Sequence, residues 1–172
     1  MKFFLEKTND YTEQVEKFII GSGIILMMIN STANAIGRYV FNRSIFFSEE
    51  LNQFLIVWIS FIGFSYAVRK GRNIRMTAIY DFMSHRIKKI LTMTIAILTA
   101  ILLFYLSYKA TLYVQELKDI KRLSPSLQFP VYIIYYIIPI GLFMAGIQYL
   151  VSFIMNITHR DIYISYNIIE EK

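Results

Sequence analysis

The sequence has no cysteine and only two histidines among its 172 residues. The absence of cysteine excludes disulfides, thiolate chemistry and zinc sites with sulfur ligands. The two histidines, His85 and His159, lie at the edges of apolar stretches, so a haem held inside those stretches would have no histidine ligand. There is also no P-loop, nucleophile elbow or dinucleotide-binding fingerprint. These absences predict a protein that is not an enzyme and that carries no cofactor or metal.

Charged residues are missing from four long stretches, although the chain as a whole carries a net charge of +6. Asp, Glu, Lys and Arg are absent from residues 18–37, 51–68, 90–108 and 123–158. About 20 apolar residues cross the hydrocarbon core of a bilayer as a helix, so each stretch is long enough for one span. The basic residues flank these stretches, which is typical of membrane topology and does not favour nucleic-acid binding. The sequence predicts an all-α integral membrane protein with four transmembrane helices.

The whole chain, residues 1–172, is expected to form a single membrane domain. The predicted spans cover residues 18–41, 48–69, 88–117 and 130–158. Pro139 lies inside the fourth span and should kink it, because proline removes a backbone N–H and clashes with the preceding turn. An alternative is that "SGIILMMINSTANA" ends in a signal-peptidase site, which would leave three spans. The acidic residues that precede this stretch favour four spans.

Residues 74–87 have apolar side chains at helical spacing and charged side chains over much of the remainder. This pattern predicts a helix that lies in the interface plane between spans two and three, with a plain polar loop as the alternative. Twelve of the 18 Lys and Arg residues lie before span one, in the segment 69–89 that includes the facing ends of spans two and three, or after span four. By the positive-inside rule both termini then face the cytoplasm. The predicted cytoplasmic basic collar consists of Arg69, Lys70, Arg72, Lys88 and Lys89.

Small and amide side chains recur at helical spacing along the first two spans. Such residues are typical of faces where helices approach closely and where amides form hydrogen bonds across the interface. A polar path through the membrane is the alternative, but no ionisable residue lies deep in the first span. The predicted packing seams are Gly23, Asn30, Asn34 and Gly37 in the first span and Ser60, Gly63 and Ala67 in the second. Trp58, near the middle of the second span, is expected to pack against protein.

Two adjacent carboxylates, Glu49 and Glu50, open the second span within "SEELNQFLIVW". Consecutive side chains diverge by about 100° on a helix, so the two do not converge on one substrate as an acid–base pair would. One interpretation is a helix start, with Ser48 as the cap and both glutamates in the first turn, where the helix dipole favours carboxylates. For Glu50 a further role is predicted, in which its pair with Arg38 or Arg43 pins the first two spans together.

The stretch "GRYVFNRSIFFSEELNQFLIVWISFIGFSYAVRKGRNIRM" resembles the small membrane subunit of tripartite ATP-independent periplasmic (TRAP) transporters. The family's pattern is an Arg-aromatic-Val-Phe stretch, a Ser-Glu-Glu-Leu, an aromatic-rich span with a Gly, and an Ala-Val-Arg-Lys exit. Residues 38–41, 48–51, Gly63 and 67–70 match these parts in turn. Further on, "SPSLQFPVYIIYYIIPIGL" is similar to the family's final span. Residues 73–77 read Asn-Ile-Arg-Met-Thr where members often show a His-Ile-x-x-Asp-like stretch, so no role of that His or Asp carries over.

The resemblance implies a subunit of a sodium-coupled symporter in the bacterial inner membrane. In this family the small subunit joins a large membrane subunit, which carries the substrate and sodium sites and moves as an elevator. A periplasmic binding protein delivers an organic acid, such as sialic acid or a C4-dicarboxylate. The expected partners are therefore the large subunit, the binding protein and membrane lipids, and the expected role is scaffold and docking surface. The alternatives are a stand-alone four-span carrier and the membrane anchor of a redox complex.

Overall fold

A computed structural model of the chain describes residues 2–71, 84–159, 161–165 and 168–169. The helices in these ranges are α1 (Lys2–Val40), α2 (Ser48–Arg69), α3 (His85–Asp119), α4 (Val131–Tyr135) and α5 (Ile137–Thr158). Two short strands follow, β1 (Tyr163–Ser165) and β2 (Ile168–Ile169), and they pair antiparallel. Four helical segments are long and apolar enough to cross a membrane: Asp10–Val40, Ser48–Arg69, His85–Asp119 and Val131–Thr158. The prediction of a helical membrane protein with four spans is confirmed, and the strand pair is an addition to it.

The first helix, α1, is longer than the first predicted span. It runs without interruption for 39 residues, or roughly 58 Å at 1.5 Å per residue. Lys17 and Glu13 form an ion pair at 2.7 Å one turn apart, and such pairs support helix in a polar stretch. None of the apolar window of α1 is buried inside the chain. Most of its apolar surface is therefore left to lipid or to a partner.

The second helix, α2, coincides with the second predicted span because both of its ends carry strong signals. Glu49 and Glu50 occupy the first turn and Arg69 the last, and each complements the helix dipole. Gly71 follows with a φ of 61°, and its amide bonds to the carbonyl of Val68 at 3.0 Å. A residue that follows a helix in the left-handed conformation is most often glycine, because glycine has no Cβ to clash there.

The third helix, α3, contains the third predicted span and extends past it at both ends. Its 35 residues give a length of roughly 52 Å, against a hydrocarbon core of about 30 Å. The ammonium of Lys109 lies 5.6 Å from the ring centroid of Tyr105. An aromatic face of this kind stabilises a cation in an otherwise apolar helix.

The fourth span is interrupted at Tyr136, between α4 and α5. Pro139 follows within one helical turn and has no N–H to donate to the carbonyl of Tyr135, so a continuous ladder of backbone bonds is impossible here. Tyr136 itself keeps right-handed helical dihedral angles. Pro130, at the start of the fourth predicted span, occupies the cap position before α4.

The predicted interfacial helix at residues 74–87 lies largely outside the described residues. Residues 72–83 are not described, which includes Arg72 of the basic collar. Ser84 is not helical, and the residues from His85 onward belong to α3. The interfacial helix therefore stays a prediction.

The chain divides into two compact units. Unit 1 comprises Met1–Gly63 and Ala110–Ile138, and unit 2 comprises Phe64–Lys109 and Pro139–Lys172. The core of unit 2 consists of Val68, Leu103 and Ala145, with Leu142 and Tyr149 packed against it. Glycine at position 146 permits close packing there, since a Cβ at this position would lie 3.0 Å from Cε1 of Phe104.

Candidate functional site

Glu50 is a buried carboxylate at the start of α2, with 9% of its surface exposed. Its Oε2 atom accepts hydrogen bonds from the backbone N–H groups of Ser126 and Leu127, at 3.0 and 2.9 Å. A buried carboxylate needs such partners, and hydrogen bonds to a charged acceptor are stronger than neutral ones. Within unit 1, Glu50 therefore ties the beginning of α2 to the segment between α3 and α4.

The segment that Glu50 holds, called here the clamped loop, comprises residues 122–131. A bridge between Leu123 and Pro130 closes it, and the amide of Ser124 bonds to the carbonyl of Phe129 at 2.9 Å. Ser124 is buried, and its Oγ accepts from the amide of Phe129 at 3.4 Å. Leu123, Leu127 and Phe129 nevertheless remain exposed, by 40% to 50%. The clamped loop thus combines a fixed backbone with an apolar outer surface.

The link between α1 and α2 is held by a side-chain amide and by backbone amides. Oδ1 of Asn34 accepts from the backbone N–H of Ile45 at 2.8 Å. Arg38 and Arg43 are both exposed. Glu50 has backbone amides as its partners, in place of the guanidinium predicted from the sequence. The reason is burial, since the carboxylate lies inside unit 1 while both arginines are exposed.

The helix start differs in detail from the predicted cap. Ser48 is the first residue of α2, and its buried Oγ has no hydrogen-bond partner in the part of the chain that the structure describes. The prediction that Ser48 caps the helix is therefore wrong, because a cap must stand one position before the first helical residue. Glu49 lies in the first turn and is exposed. Its place agrees with the simple interpretation of a carboxylate at the positive end of the helix dipole.

An amide network joins α1 to the first turns of α2. Nδ2 of Asn30 donates to the carbonyl of Ser48 at 2.9 Å and to Oδ1 of Asn52 at 2.8 Å. Nδ2 of Asn52 in turn donates to Oγ of Ser31 at 2.9 Å. Amides that bond across helices fix the register of two spans, because an unpaired amide in lipid is costly. The network occupies the face of α1 that was predicted to be a packing seam.

Two glycines of α1 stand where a side chain would collide with a neighbour. A Cβ at Gly23 would lie 3.0 Å from Cγ1 of Ile59 in α2, and a Cβ at Gly37 would lie 2.8 Å from the backbone oxygen of Arg43. The carbonyl of Gly37 also accepts from the amide of Arg43 at 3.0 Å. By contrast, a Cβ at Gly21 would meet nothing within 4 Å.

The second predicted seam, on α2, has a different environment. Ser60 is exposed, Ala67 is partly buried, and a Cβ at Gly63 would meet nothing within 4 Å among the described residues. Gly63 therefore does not serve close packing against another described helix of this chain. A role for this seam in contact with another chain stays a prediction.

Trp58 connects α2 to the interrupted fourth span. Its Nε1 donates to the carbonyl of Ile134 at 3.2 Å, and 37% of the residue is exposed. Ile134 lies in α4, next to the interruption at Tyr136. The indole thus contacts protein at mid-span and pins the two helices of unit 1 together.

The basic collar is only partly exposed. Arg69 is 5% exposed. When the side-chain amide of Gln148 is oriented with its oxygen towards Arg69, that oxygen accepts from the two terminal nitrogens of the guanidinium at 3.1 and 3.2 Å. Lys70 lies 6.0 Å from the ring centroid of Tyr66. Lys88 and Lys89 are half-buried. The charge at Arg69 therefore belongs to the interior of unit 2.

A polar stripe on α5 is not predicted by the apolar pattern of the fourth span. Gln148, Ser152 and Asn156 are buried in this otherwise apolar helix, and spacings of four place them on one face. Of the three, only Gln148 stands out in the sequence, as a polar group near the middle of the span. The i, i+4, i+8 spacing of polar residues is the signal that could have identified the stripe.

The described ranges contain no group of three or more His, Cys, Asp or Glu residues that could hold a metal ion. What the site offers is a set of fixed connections, made by Glu50, Asn30, Asn34 and Trp58 in unit 1.

Comparison with known proteins identifies a family and several relatives. The model of a family described as tripartite ATP-independent periplasmic transporters, DctQ component, matches residues 27–159. An ectoine TRAP transporter small permease protein of Halomonas elongata is 41% identical over 157 residues, covering 91% of this chain and 81% of the relative.

Two more distant relatives match as well. A C4-dicarboxylate TRAP transporter small permease protein of Vibrio cholerae is 25% identical over 87 residues, covering 51% of this chain and 38% of the relative. An isethionate TRAP transporter permease protein of Oleidesulfovibrio alaskensis is 24% identical over 147 residues, covering 78% of this chain and 22% of that longer protein.

Proposed function

Because the chain belongs to the DctQ component family of tripartite ATP-independent periplasmic transporters, we propose that it serves as a scaffold for solute uptake across the bacterial inner membrane. The chain is a multi-pass membrane protein and a TRAP small permease subunit. TRAP small permease subunits work with a large permease. The observation that carries the proposal is the family match over residues 27–159, which includes α2 to α5 and the end of α1.

The proposed scaffold role rests on fixed connections rather than on a transport site. Glu50, Asn30, Asn34 and Trp58 each join two segments of unit 1 through hydrogen bonds. An elevator-type large subunit needs a part that stays still while the other part slides. Helices cross-linked in this way resist sliding past one another, which is the property required of such a frame. The match to 22% of a longer permease protein supports a large partner.

We assign the open faces of α1 and α2 to lipid and to the large subunit. The apolar window of α1 has no buried residue, and Gly63 of α2 has open space where a side chain would stand. Helices that pack in membranes use small residues to let backbones approach, so Ser60, Gly63 and Ala67 suit a helix of the large subunit.

The proposed orientation places both termini in the cytoplasm, since twelve of the 18 Lys and Arg residues fall on that side. The exposed part of the basic collar, without the buried Arg69, would then meet the inner leaflet, and the part of the predicted interfacial helix that precedes Ser84 would lie along it. Glu50 and the clamped loop would face the periplasm, with Arg38 and Arg43 nearby. The exposed side chains of Leu123, Leu127 and Phe129 would form part of a docking surface for a periplasmic binding protein.

For the substrate we propose a small organic solute, with ectoine as the first candidate because of the relative at 41% identity. A C4-dicarboxylate, named for a second relative, and sialic acid, which was expected from the family resemblance, are the next candidates. Sodium coupling belongs to the same proposal.

The proposal is tested by reconstitution of the chain with the large permease subunit and the binding protein of the same host. Vesicles that contain both membrane subunits should accumulate labelled ectoine when the binding protein and an inward sodium gradient are supplied, and vesicles that contain only one subunit should not. Labelled C4-dicarboxylate and sialic acid are run in parallel. Uptake by vesicles that contain this chain alone would overturn the scaffold role and favour a stand-alone carrier.

A further inference from the structure

The end of α5 binds the chain that follows it. Asn156 is fully buried, and its Nδ2 donates to the carbonyl of Tyr163 at 2.6 Å. Oδ1 of the same amide accepts from the backbone N–H of Tyr163 at 2.9 Å. Ser152, one turn earlier and 3% exposed, donates from Oγ to the same carbonyl at 3.0 Å. One backbone residue therefore has both of its polar groups satisfied by two side chains of α5.

A second attachment comes from α3. Nζ of Lys89 donates to the carbonyl of His159, the first residue after α5, at 2.5 Å. A cation at this position also complements the negative end of the α5 dipole. The ring centroids of His159 and Tyr163 lie 5.2 Å apart. The residues that follow α5 thus contact both α5 and the start of α3, all within unit 2.

An apolar contact completes the attachment. Ile162 is 4% exposed, although Asp161 beside it is exposed. A free polar tail would bury neither an isoleucine nor the amide of Asn156. The burial of Asn156 without these bonds would cost free energy, because an amide removed from water needs hydrogen-bond partners. The side chain of Asn156 and the backbone of Tyr163 therefore depend on each other.

We propose that Ser152, Asn156 and Lys89 form a latch that docks His159 and residues 161–163 against the end of α5 and the start of α3. The latch is a conformational device that fixes these two helix ends together and sets where the β1–β2 pair begins. It does not rest on the transporter assignment, and none of its residues belongs to the connections proposed for the scaffold in unit 1.

The experiment uses the absence of cysteine from the natural sequence. Ile162→Cys introduces a single thiol at a buried position of the latch, and Asp161→Cys introduces one at an exposed neighbour. The full chain is reconstituted in lipid nanodiscs, where both faces are open to solvent, and labelled with a membrane-impermeant maleimide. The latch predicts slow labelling at position 162 and fast labelling at position 161.

The latch is then opened by Asn156→Leu, which keeps the branching of the side chain and removes both hydrogen bonds to Tyr163, together with the bond to the Ser152 carbonyl within α5. Labelling of Ile162→Cys should accelerate by roughly tenfold or more, as expected for the loss of two buried hydrogen bonds. Lys89→Met should accelerate it less, because it removes one bond. Thr158→Ala serves as the matched control, since Thr158 is exposed and its Oγ bonds only within α5.

Retention of helical circular dichroism in Asn156→Leu separates release of the latch from unfolding. If the nanodisc-embedded Ile162→Cys chain labels as fast as Asp161→Cys before any further substitution, residues 161–163 are not docked and the proposal fails. If labelling stays slow in Asn156→Leu and in Asn156→Leu combined with Lys89→Met, these side chains do not hold the segment and the proposal also fails. Either failure would leave the uptake assay of the proposed function unaffected.

Discussion

Oε2 of Glu50 lies 2.9 Å from the backbone nitrogen of Leu127, a residue 77 positions further along the chain. Through this bond the carboxylate at the start of α2 helps to fix the backbone of the clamped loop, which leads into α4. It also explains why Glu50 and its neighbour Glu49 have different roles despite being adjacent. One is buried against two amides, and the other is exposed on the first turn.

Glu50→Ala should destabilise the chain far more than Glu49→Ala. Removal of the carboxylate leaves the amides of Ser126 and Leu127 without their acceptor, and two charge-assisted bonds of this kind contribute about 3–6 kcal/mol in total. Loss of the exposed Glu49 removes only a weak interaction with the helix dipole. Thermal unfolding of both variants in the same detergent measures the difference. Similar small shifts of the unfolding temperature for the two variants would mean that both glutamates only stabilise the start of the helix.

Gly37→Ala should lower stability while Gly21→Ala should not. A Cβ at position 37 would approach the backbone oxygen of Arg43 to 2.8 Å, and a backbone atom cannot move aside as a flexible side chain does. A Cβ at position 21 has open space, so that substitution gains the helix propensity of alanine, about 1 kcal/mol. Both variants change the same atoms in the same helix. Equal unfolding midpoints for the two would contradict the close contact at the end of α1.

Asn30→Leu should loosen α1 from α2. Two hydrogen bonds are lost, to the Ser48 carbonyl and to Asn52, and polar bonds between membrane helices contribute about 1–2 kcal/mol each in model systems. Thr32→Val, which removes a hydroxyl at an exposed position of the same helix, is the control. Unfolding by sodium dodecyl sulfate should occur at a lower detergent fraction for Asn30→Leu and at an unchanged fraction for Thr32→Val. An unchanged midpoint in both would mean that the amide network does not hold the two helices together.

Trp58→Phe should cost about 1 kcal/mol, because it removes one hydrogen bond and keeps most of the ring. The chain has a single tryptophan, so emission of the natural protein reports on this residue alone. A half-buried, hydrogen-bonded indole should be quenched slowly by acrylamide in the intact subunit. Rapid quenching would show that the bond to the Ile134 carbonyl does not form in the bilayer.

Gln148→Leu should destabilise unit 2, since the buried guanidinium of Arg69 loses the acceptor for two N–H groups. An unsatisfied buried donor costs about 1–3 kcal/mol. Gln53→Leu, at an exposed position of α2, changes the same atoms without this loss. The comparison of their thermal midpoints isolates the contribution of the Arg69 contact. If Gln53→Leu lowered the thermal midpoint more than Gln148→Leu does, the destabilisation would come from the leucine side chain and not from loss of the Arg69 contact.

The four spans were predictable from the sequence because each rests on a local property, a long run without charge. The same holds for the ends of α2, where acidic residues, a terminal arginine and Gly71 all lie within a few positions of the helix ends. The break near Pro139 was equally accessible, since the missing N–H is a property of one residue. These features need no knowledge of which helix stands beside which.

The partners of Glu50 and Asn156 could not be predicted in the same way. Both bind backbone groups, and every residue except proline offers the same N–H and C=O, so no side-chain pattern marks the recipient. A guanidinium near Glu50 was the visible candidate, but the structure instead has two amides of the clamped loop there. Ser48 failed as a cap for a related reason. A shift of one residue in the helix start, which sequence patterns do not resolve, moves a hydroxyl from the cap to the first turn.

The uncovered apolar surface of α1, together with Asn30, bears on how the chain enters the membrane. On its own in a bilayer, α1 would hold the Asn30 amide against lipid, where an unpaired polar group is costly. Both acceptors of that amide are supplied by Ser48 and Asn52, which emerge from the ribosome only as α2 is made. We therefore infer that α1 and α2 partition into the bilayer as one helical hairpin. The insertion machinery would then receive a pair whose register is already set before α3 is synthesised.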